Sequence, residues 1–327
     1  MARRWSIMGI MLCAAVSLLA GCGSNSAAGT EKVQLVLDWT PNTNHTGLYA
    51  AKELGYFEEE GLEVDIVLPG ESGADAVVAS GEAQFGVSYQ EGVTQARVNG
   101  VPLVSIAAVI QHNTSGFASL AKEGIKTPKD FEGRTYGGWG SPVEGAMIES
   151  LMKEDGGDFS KVTIASIGDS DFFTAMQKDI DFQWIYYGWT GIEAELRNEP
   201  LNVVWLTDYS EKLDYYTPVL VTNEKLISEN PELVKKFLKA VAKGYQYAID
   251  KPEEAADVLV KAVPELNKAL VVASQKWLSP RYADDAPRWG EQKRDVWVNY
   301  ADWMSEHGLL EGEFNADEAF TNEFLPK

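Results

Sequence analysis

Cysteine is almost absent from this chain. Of its 327 residues only Cys13 and Cys22 carry a thiol, which excludes a framework of several disulfides and a thiolate zinc site. Histidine is nearly as scarce: His45, His112 and His307 are the three present, and no two stand at the i, i+4 spacing of a helical metal site. Positive charge is short as well. Lys and Arg number 28 against 49 Asp and Glu, a net charge of −21, which excludes the basic footprint that nucleic acid requires and broad adhesion to anionic lipid. The N-terminal apolar run, Ile7 to Ala20, is 14 residues long, short of the roughly 20 that span a bilayer. Two catalytic signatures are also missing. There is no G-x-S-x-G elbow, and the Gly-rich stretch Tyr136 to Gly145 lacks the Lys-Ser/Thr ending of a nucleotide-binding P-loop.

What is present starts at the N-terminus. Arg3 and Arg4 precede the apolar run, which ends in Leu19-Ala20-Gly21-Cys22. A positive segment, a short apolar segment and small residues at a cut site make a secretory signal. The four-residue ending resembles the lipobox of bacterial lipoproteins. It implies removal of residues 1–21, a lipid on Cys22 and a flexible tether over 22–32, leaving the protein anchored to the outer face of the cytoplasmic membrane. Hydrophobic residues make up 45% of the chain, enough for a sizeable core. From Val33 to Trp205 short apolar strands alternate with helical stretches of about ten residues, which predicts parallel sheets flanked by helices. From Asn223 onward the pattern is nearly all helical, with segments at 231–250, 252–262, 267–277 and 291–308.

Three stretches carry a family resemblance: the loop Asp38-Trp39-Thr40-Pro41-Asn42-Thr43-Asn44-His45-Thr46-Gly47, then Ala51-Lys52-Glu53-Leu54-Gly55-Tyr56-Phe57, then Gly81-Glu82-Ala83-Gln84-Phe85-Gly86-Val87. Over about residues 33–325 the chain resembles the NMT1/THI5-like family of solute-binding proteins, and the first loop resembles its ThiY-type branch, lipoproteins that bind formylaminopyrimidine for import. The resemblance implies a type II periplasmic-binding-protein fold, α/β and two-lobed, with a closing cleft. Lobe one is then 33–113 plus 219–327 and lobe two 114–218. An ABC permease is the implied membrane partner, and a monomer the implied state.

The segments at strand ends facing that cleft contain no Lys or Arg. Oxyanion sites often recruit Arg, so the odds move towards a neutral or weakly basic ligand. The same segments hold many flat rings. Trp39, Tyr89, Trp139 and Tyr187 stand next to Gly, Pro, Ser or a carboxylate and are the candidates for stacking on a flat ligand. Asp38, Glu91, Glu144, Asp171 and Glu193 supply carboxylates. A carboxylate suits an aminopyrimidine, accepting from the exocyclic amine while a shared proton bonds the ring nitrogen. Asn42 and His45 join the candidates through the loop that the resemblance places in the cleft, and Ser115 and Ser141 add hydroxyls. The glycines of 136–145 leave backbone N–H groups free to hold a formyl or phosphate oxygen.

Some fungal relatives of this fold make the thiamine pyrimidine from pyridoxal phosphate and a histidine of their own chain. The resemblance puts their lysine and histidine near Ser88 and Gly92, and their cysteine cluster near Leu213 to Pro218, where this chain has neither residue type. Without a nearby Lys no Schiff base forms. The sequence therefore reads as a binding protein with no catalytic residues, no cofactor and no metal. The alternatives are the same fold binding a sulfonate or nitrate-like anion, or a pyrimidine-synthesis enzyme.

Overall fold

The computed structural model describes residues 30–168 and 170–327; the leader, Cys13 and Cys22 lie outside the described residues. The first of its sheets has the order β2-β1-β3-β10-β4, built from β1 (Glu31–Val36), β2 (Leu62–Val67), β3 (Phe85–Ser88), β4 (Leu103–Ala108) and β10 (Val219–Asn223). All residues of β3, β4 and β10 are buried, as expected for strands covered on both faces. β1 runs parallel to β2 and β3, whereas β10 is antiparallel to β3 and β4.

The second half places β5 (Ser115–Leu120) between β8 (Gln183–Tyr186) and β9 (Leu201–Trp205), antiparallel to both. β6 (Thr135–Gly138) and β7 (Thr163–Ser166) pair in parallel, and a bridge from Tyr136 to Phe182 ties them to the start of β8. Read across, β7-β6-β8-β5-β9 repeats the order β2-β1-β3-β10-β4. Each lobe thus has the sequence of a second, first and third strand, then an inserted one, then a fourth. The alternation of strands and helices predicts parallel sheets, and the inserted strands β5 and β10 depart from that. Each follows a crossing from the other lobe, 109–114 or 206–218, rather than a helical crossover within its own sheet. It therefore arrives from the opposite end and pairs antiparallel.

The C-terminal helices fall where proline and asparagine signals put them. Pro231–Asp250 starts with proline in its first turn and Asn230 accepting from the Leu233 N–H at 3.2 Å. Its Phe237 stacks on Phe85 of β3 at 3.7 Å between ring centroids. The helix Arg294–Glu306 serves both halves, although 219–327 reads in sequence as part of lobe one. Trp297 stacks on Phe320 at 5.6 Å within the first-lobe core, while Tyr300, Trp303 and Met304 join the core around Phe117 and Tyr136. The 3.6-residue period sets these side chains on one stripe, and that stripe runs from lobe to lobe.

Candidate ligand-binding cleft

Loops at the C-terminal ends of the strands carry the candidate residues, where α/β sheets usually bind ligands. After β1 the chain turns back on itself around Asp38. Its Oδ1 accepts from His45 Nε2 at 2.6 Å and its Oδ2 from the Tyr89 hydroxyl at 2.8 Å. His45 Nδ1 accepts the Asn42 N–H at 3.2 Å, which leaves the ring proton on Nε2. Asn42 closes the turn, its Oδ1 accepting from the Asn44 N–H at 2.8 Å. Burial alone would raise the Asp38 carboxyl; His45 and Tyr89 outweigh it and hold the group below its ordinary value. The Tyr89 hydroxyl is pushed well up by its burial and by the Asp38 charge. Hydroxyls of Tyr282 and Tyr245 donate to the carbonyls of Thr43 and Asn44 at 2.6 and 2.7 Å, fastening the loop to the C-terminal helices. Asn42 and His45 are thus buried parts of the loop's own scaffold. What the loop offers outward is Trp39, 45% exposed.

The Gly-rich loop after β6 is organised the same way around Glu144. This buried carboxylate accepts from the Tyr136 hydroxyl at 2.6 Å and from the N–H groups of Trp139, Gly140 and Ser141 at 3.1, 2.7 and 2.8 Å. A Cβ on Gly138 would collide with the Glu144 carboxylate and the Tyr136 ring, so glycine is required there. Ser141 is the N-cap of the helix Pro142–Glu154. The sequence expectation that this loop presents free N–H donors to a formyl or phosphate oxygen is therefore corrected: Glu144 already takes three of them. The outward side chain is Trp139, 46% exposed, with its ring 5.5 Å from that of Trp184.

Trp39 and Trp139 occupy corresponding places. One follows β1, the other β6, and these strands take the second place in β2-β1-β3-β10-β4 and, counted across the Tyr136–Phe182 bridge, in β7-β6-β8-β5-β9. Glu91 lies in the first turn of the helix Gln90–Val98 and is half-buried. Burial, then the charge of Glu144 from the other lobe, pushes its carboxyl up to about 7.

The remaining candidates separate. The Ser115 hydroxyl donates to Asn113 Oδ1 at 2.7 Å and accepts from Trp184 Nε1 at 2.8 Å, so it fixes Trp184. Tyr187 points elsewhere: its hydroxyl donates to Glu195 at 2.6 Å, and its ring, 5.4 Å from Trp277, lines a cavity of about 380 Å³ with Trp205 and Arg281. That cavity shares no lining residue with Asp38, Tyr89 or Glu91. Glu193 pairs with Arg197 one turn along the same helix, and Asp171 caps the short helix after it. Tyr186 is the tyrosine of this pair on which the Glu91 and Asp38 charges act. Burial pushes its hydroxyl up to about 12 against a Thr217 contact, and the charges of Glu91 and Asp38 add to the rise. Trp184 and Tyr186 alternate onto one face of β8, whereas Tyr187 leaves the strand and opens the helical turn Tyr187–Gly191.

Known proteins place this architecture. Residues 42–255 match the family described as NMT1/THI5 like. The formylaminopyrimidine-binding protein of Halalkalibacterium halodurans is 30% identical over 96% of this chain and 97% of its own length. A 4-amino-5-hydroxymethyl-2-methylpyrimidine phosphate synthase of Legionella pneumophila is 26% identical over 90% of this chain and 93% of its own. Among solved structures, the alkanesulfonate-binding protein of Xanthomonas axonopodis bound to MOPS superimposes with a TM-score of 0.69 at 14% identity, covering 90% of this chain and 99% of that one.

Proposed function

The chain belongs to the NMT1/THI5-like family, and on that premise we propose that it captures an aminopyrimidine thiamine precursor for an ABC importer. The ligand class is formylaminopyrimidine or its deformylated amine. One observation carries this reading. Two half-exposed tryptophans follow corresponding strands of the two lobes, and Glu91, in the first turn of its helix, has its carboxyl pushed up to about 7 by burial and the charge of Glu144. Two indole faces suit a flat heteroaromatic ring. A carboxyl that exchanges its proton near neutrality suits a ring nitrogen beside an amine, because one shared proton serves both partners. A sulfonate would meet carboxylates instead of Arg. The similarity to the formylaminopyrimidine-binding protein supports the same ligand.

In this proposal the lobes close by bending at 109–114 and 206–218, and the permease reads the closed form. The protein works outside the cytoplasmic membrane as a monomer, held by lipid on Cys22. It is a binder rather than a synthase, because Ser88 and Gly92 stand where the resemblance puts the lysine and histidine of the enzymes. Isothermal calorimetry with the two pyrimidines, taurine and nitrate tests the ligand class. Heat from either pyrimidine and none from the anions is expected; heat from taurine alone overturns the proposal.

A further inference from the structure

Asp75 escaped the sequence reading because it sits in an ordinary-looking helix start, the first turn of Gly73–Ser80. Its surroundings set it apart. Oδ1 is buried with no hydrogen-bond partner in the structure. The carboxyl lies against the backbone of Gly92, where a Cβ would stand 2.6 Å from Oδ2, so only glycine at that point leaves it room. Ser88 at the end of β3 is within reach of it. Desolvation raises the carboxyl above its ordinary value, Ser88 opposes that, and the Asp38 charge adds to the rise. Asp75 also acts on the Tyr89 hydroxyl. The titratable neighbours are thus Asp38 from the loop after β1 and Tyr89 from the end of β3, and no Lys or Arg is among the groups acting on it.

Two of the other acids in this cluster have settled tasks. Asp38 holds His45 and Tyr89, and Glu144 caps the Gly-rich loop. Asp75 alone keeps a buried acceptor oxygen without a donor, beside a second carboxylate, an arrangement that costs stability. Buried acceptors without donors in a native protein call for a reason, and destabilising arrangements gather at functional sites.

We infer that Asp75 is a specificity-determining residue of the cleft, whose Oδ1 takes an N–H of an amine-bearing or cationic ligand and repels anionic ones. The aminopyrimidine reading supplies only the identity of the probe. The ligand's N–H gives the carboxylate its missing partner and offsets the repulsion from Asp38. A sulfonate at the same place would add a third negative charge.

The test compares wild type, Asp75→Asn and Asp75→Ala in the mature chain. Asp75 is raised in the folded state, so its charge opposes folding as pH rises above the unfolded value. Asp75→Asn is therefore expected to raise the melting temperature of ligand-free protein at pH 8, with the gain shrinking towards pH 4. The same variant is expected to weaken binding of the deformylated aminopyrimidine at least tenfold by calorimetry. A lower melting temperature at pH 8, failure of both variants to fold, or affinity within twofold of wild type would each overturn the inference. Should wild type ignore both pyrimidines, the ligand reading fails separately. Asp75 is then judged on melting alone, a rise supporting the inference and a fall overturning it.

Discussion

His112 on the first crossing between the lobes is joined to Asp214 on the second by a contact of 2.6 Å from Nδ1 to Oδ2. The same Asp214 accepts the Asn113 N–H at 2.8 Å, and His112 Nε2 reaches Asp285 at 3.3 Å. The two segments that join the lobes are thus fastened to each other. The Asp214 hydrogen bond, against a smaller desolvation penalty, raises the His112 imidazole to about 9.

A pH dependence follows from that pair. A histidine raised on folding contributes stability that is full below its unfolded value near 6.5 and is lost as pH rises through about 9. Both partners are partly exposed, so after solvent screening the contribution is about 0.5–1 kcal/mol. The melting temperature of His112→Gln should lie below that of wild type at pH 6, and the gap should close by pH 10. A gap that stays constant across that range would show that the pair contributes nothing through charge.

Glu144 is a structural carboxylate by its partners, so its removal should reach both fold and ligand. Glu144→Ala leaves three loop N–H groups and the Tyr136 hydroxyl without their acceptor. About 2–4 kcal/mol of stability should be lost, from the size of hydrogen bonds to a charged group and the penalty for unmet buried donors. Chemical denaturation measures it. A loss below about 0.5 kcal/mol would show that water replaces the cap.

The two exposed tryptophans should behave in the opposite way. Trp39→Ala and Trp139→Ala remove rings that are 45% and 46% exposed, so the ligand-free melting temperature should move by no more than a few degrees. Ligand affinity should fall by about 1–3 kcal/mol in each, from lost stacking and burial. A large fall in ligand-free stability with unchanged affinity would make them part of the fold instead.

Glu91 should make aminopyrimidine binding pH-dependent. Its carboxyl holds a proton below about 7 and has lost it above. The complex needs one shared proton, so affinity for the neutral ligand should fall up to about tenfold per unit above that point. Glu91→Gln keeps one donor and one acceptor at every pH and should flatten the profile between pH 7 and 9. Calorimetry across that range decides it, and an unchanged slope in the variant would remove Glu91 from the site.

Glu193→Gln, by contrast, should leave affinity within twofold, because Arg197 already engages that carboxylate. A tenfold loss would return Glu193 to the cleft.

The sequence made some of this legible and hid the rest for identifiable reasons. Pro231–Asp250 and Pro252–Ala262 were readable because proline, asparagine and apolar period mark local events. Trp39, Trp139, Asp38 and Tyr89 stand just past strand ends, and Glu91 in the first helical turn after one, which is where a strand-and-helix pattern directs attention. The antiparallel β5 and β10 were not, since their direction is set by which lobe the chain comes from. Asn42, His45, Glu144 and Ser141 have the residue types of ligand contacts, yet the same polar atoms are needed to close their own loops, and a sequence does not show which use wins. Tyr187 stands one position past the end of β8, where the chain enters a helical turn, so the alternation along β8 that places Tyr186 does not extend to it. The stripe of Trp297, Tyr300 and Trp303 reads as one amphipathic helix, but its division between two cores depends on tertiary packing.

Native mass spectrometry of residues 31–327, as purified and after adding formylaminopyrimidine, tests the central claim most directly. The account predicts one bound aminopyrimidine per chain, retained or newly taken up, and no adduct with taurine. A protein that ignores the pyrimidine and takes up taurine would keep the fold and contradict this reading of the cleft.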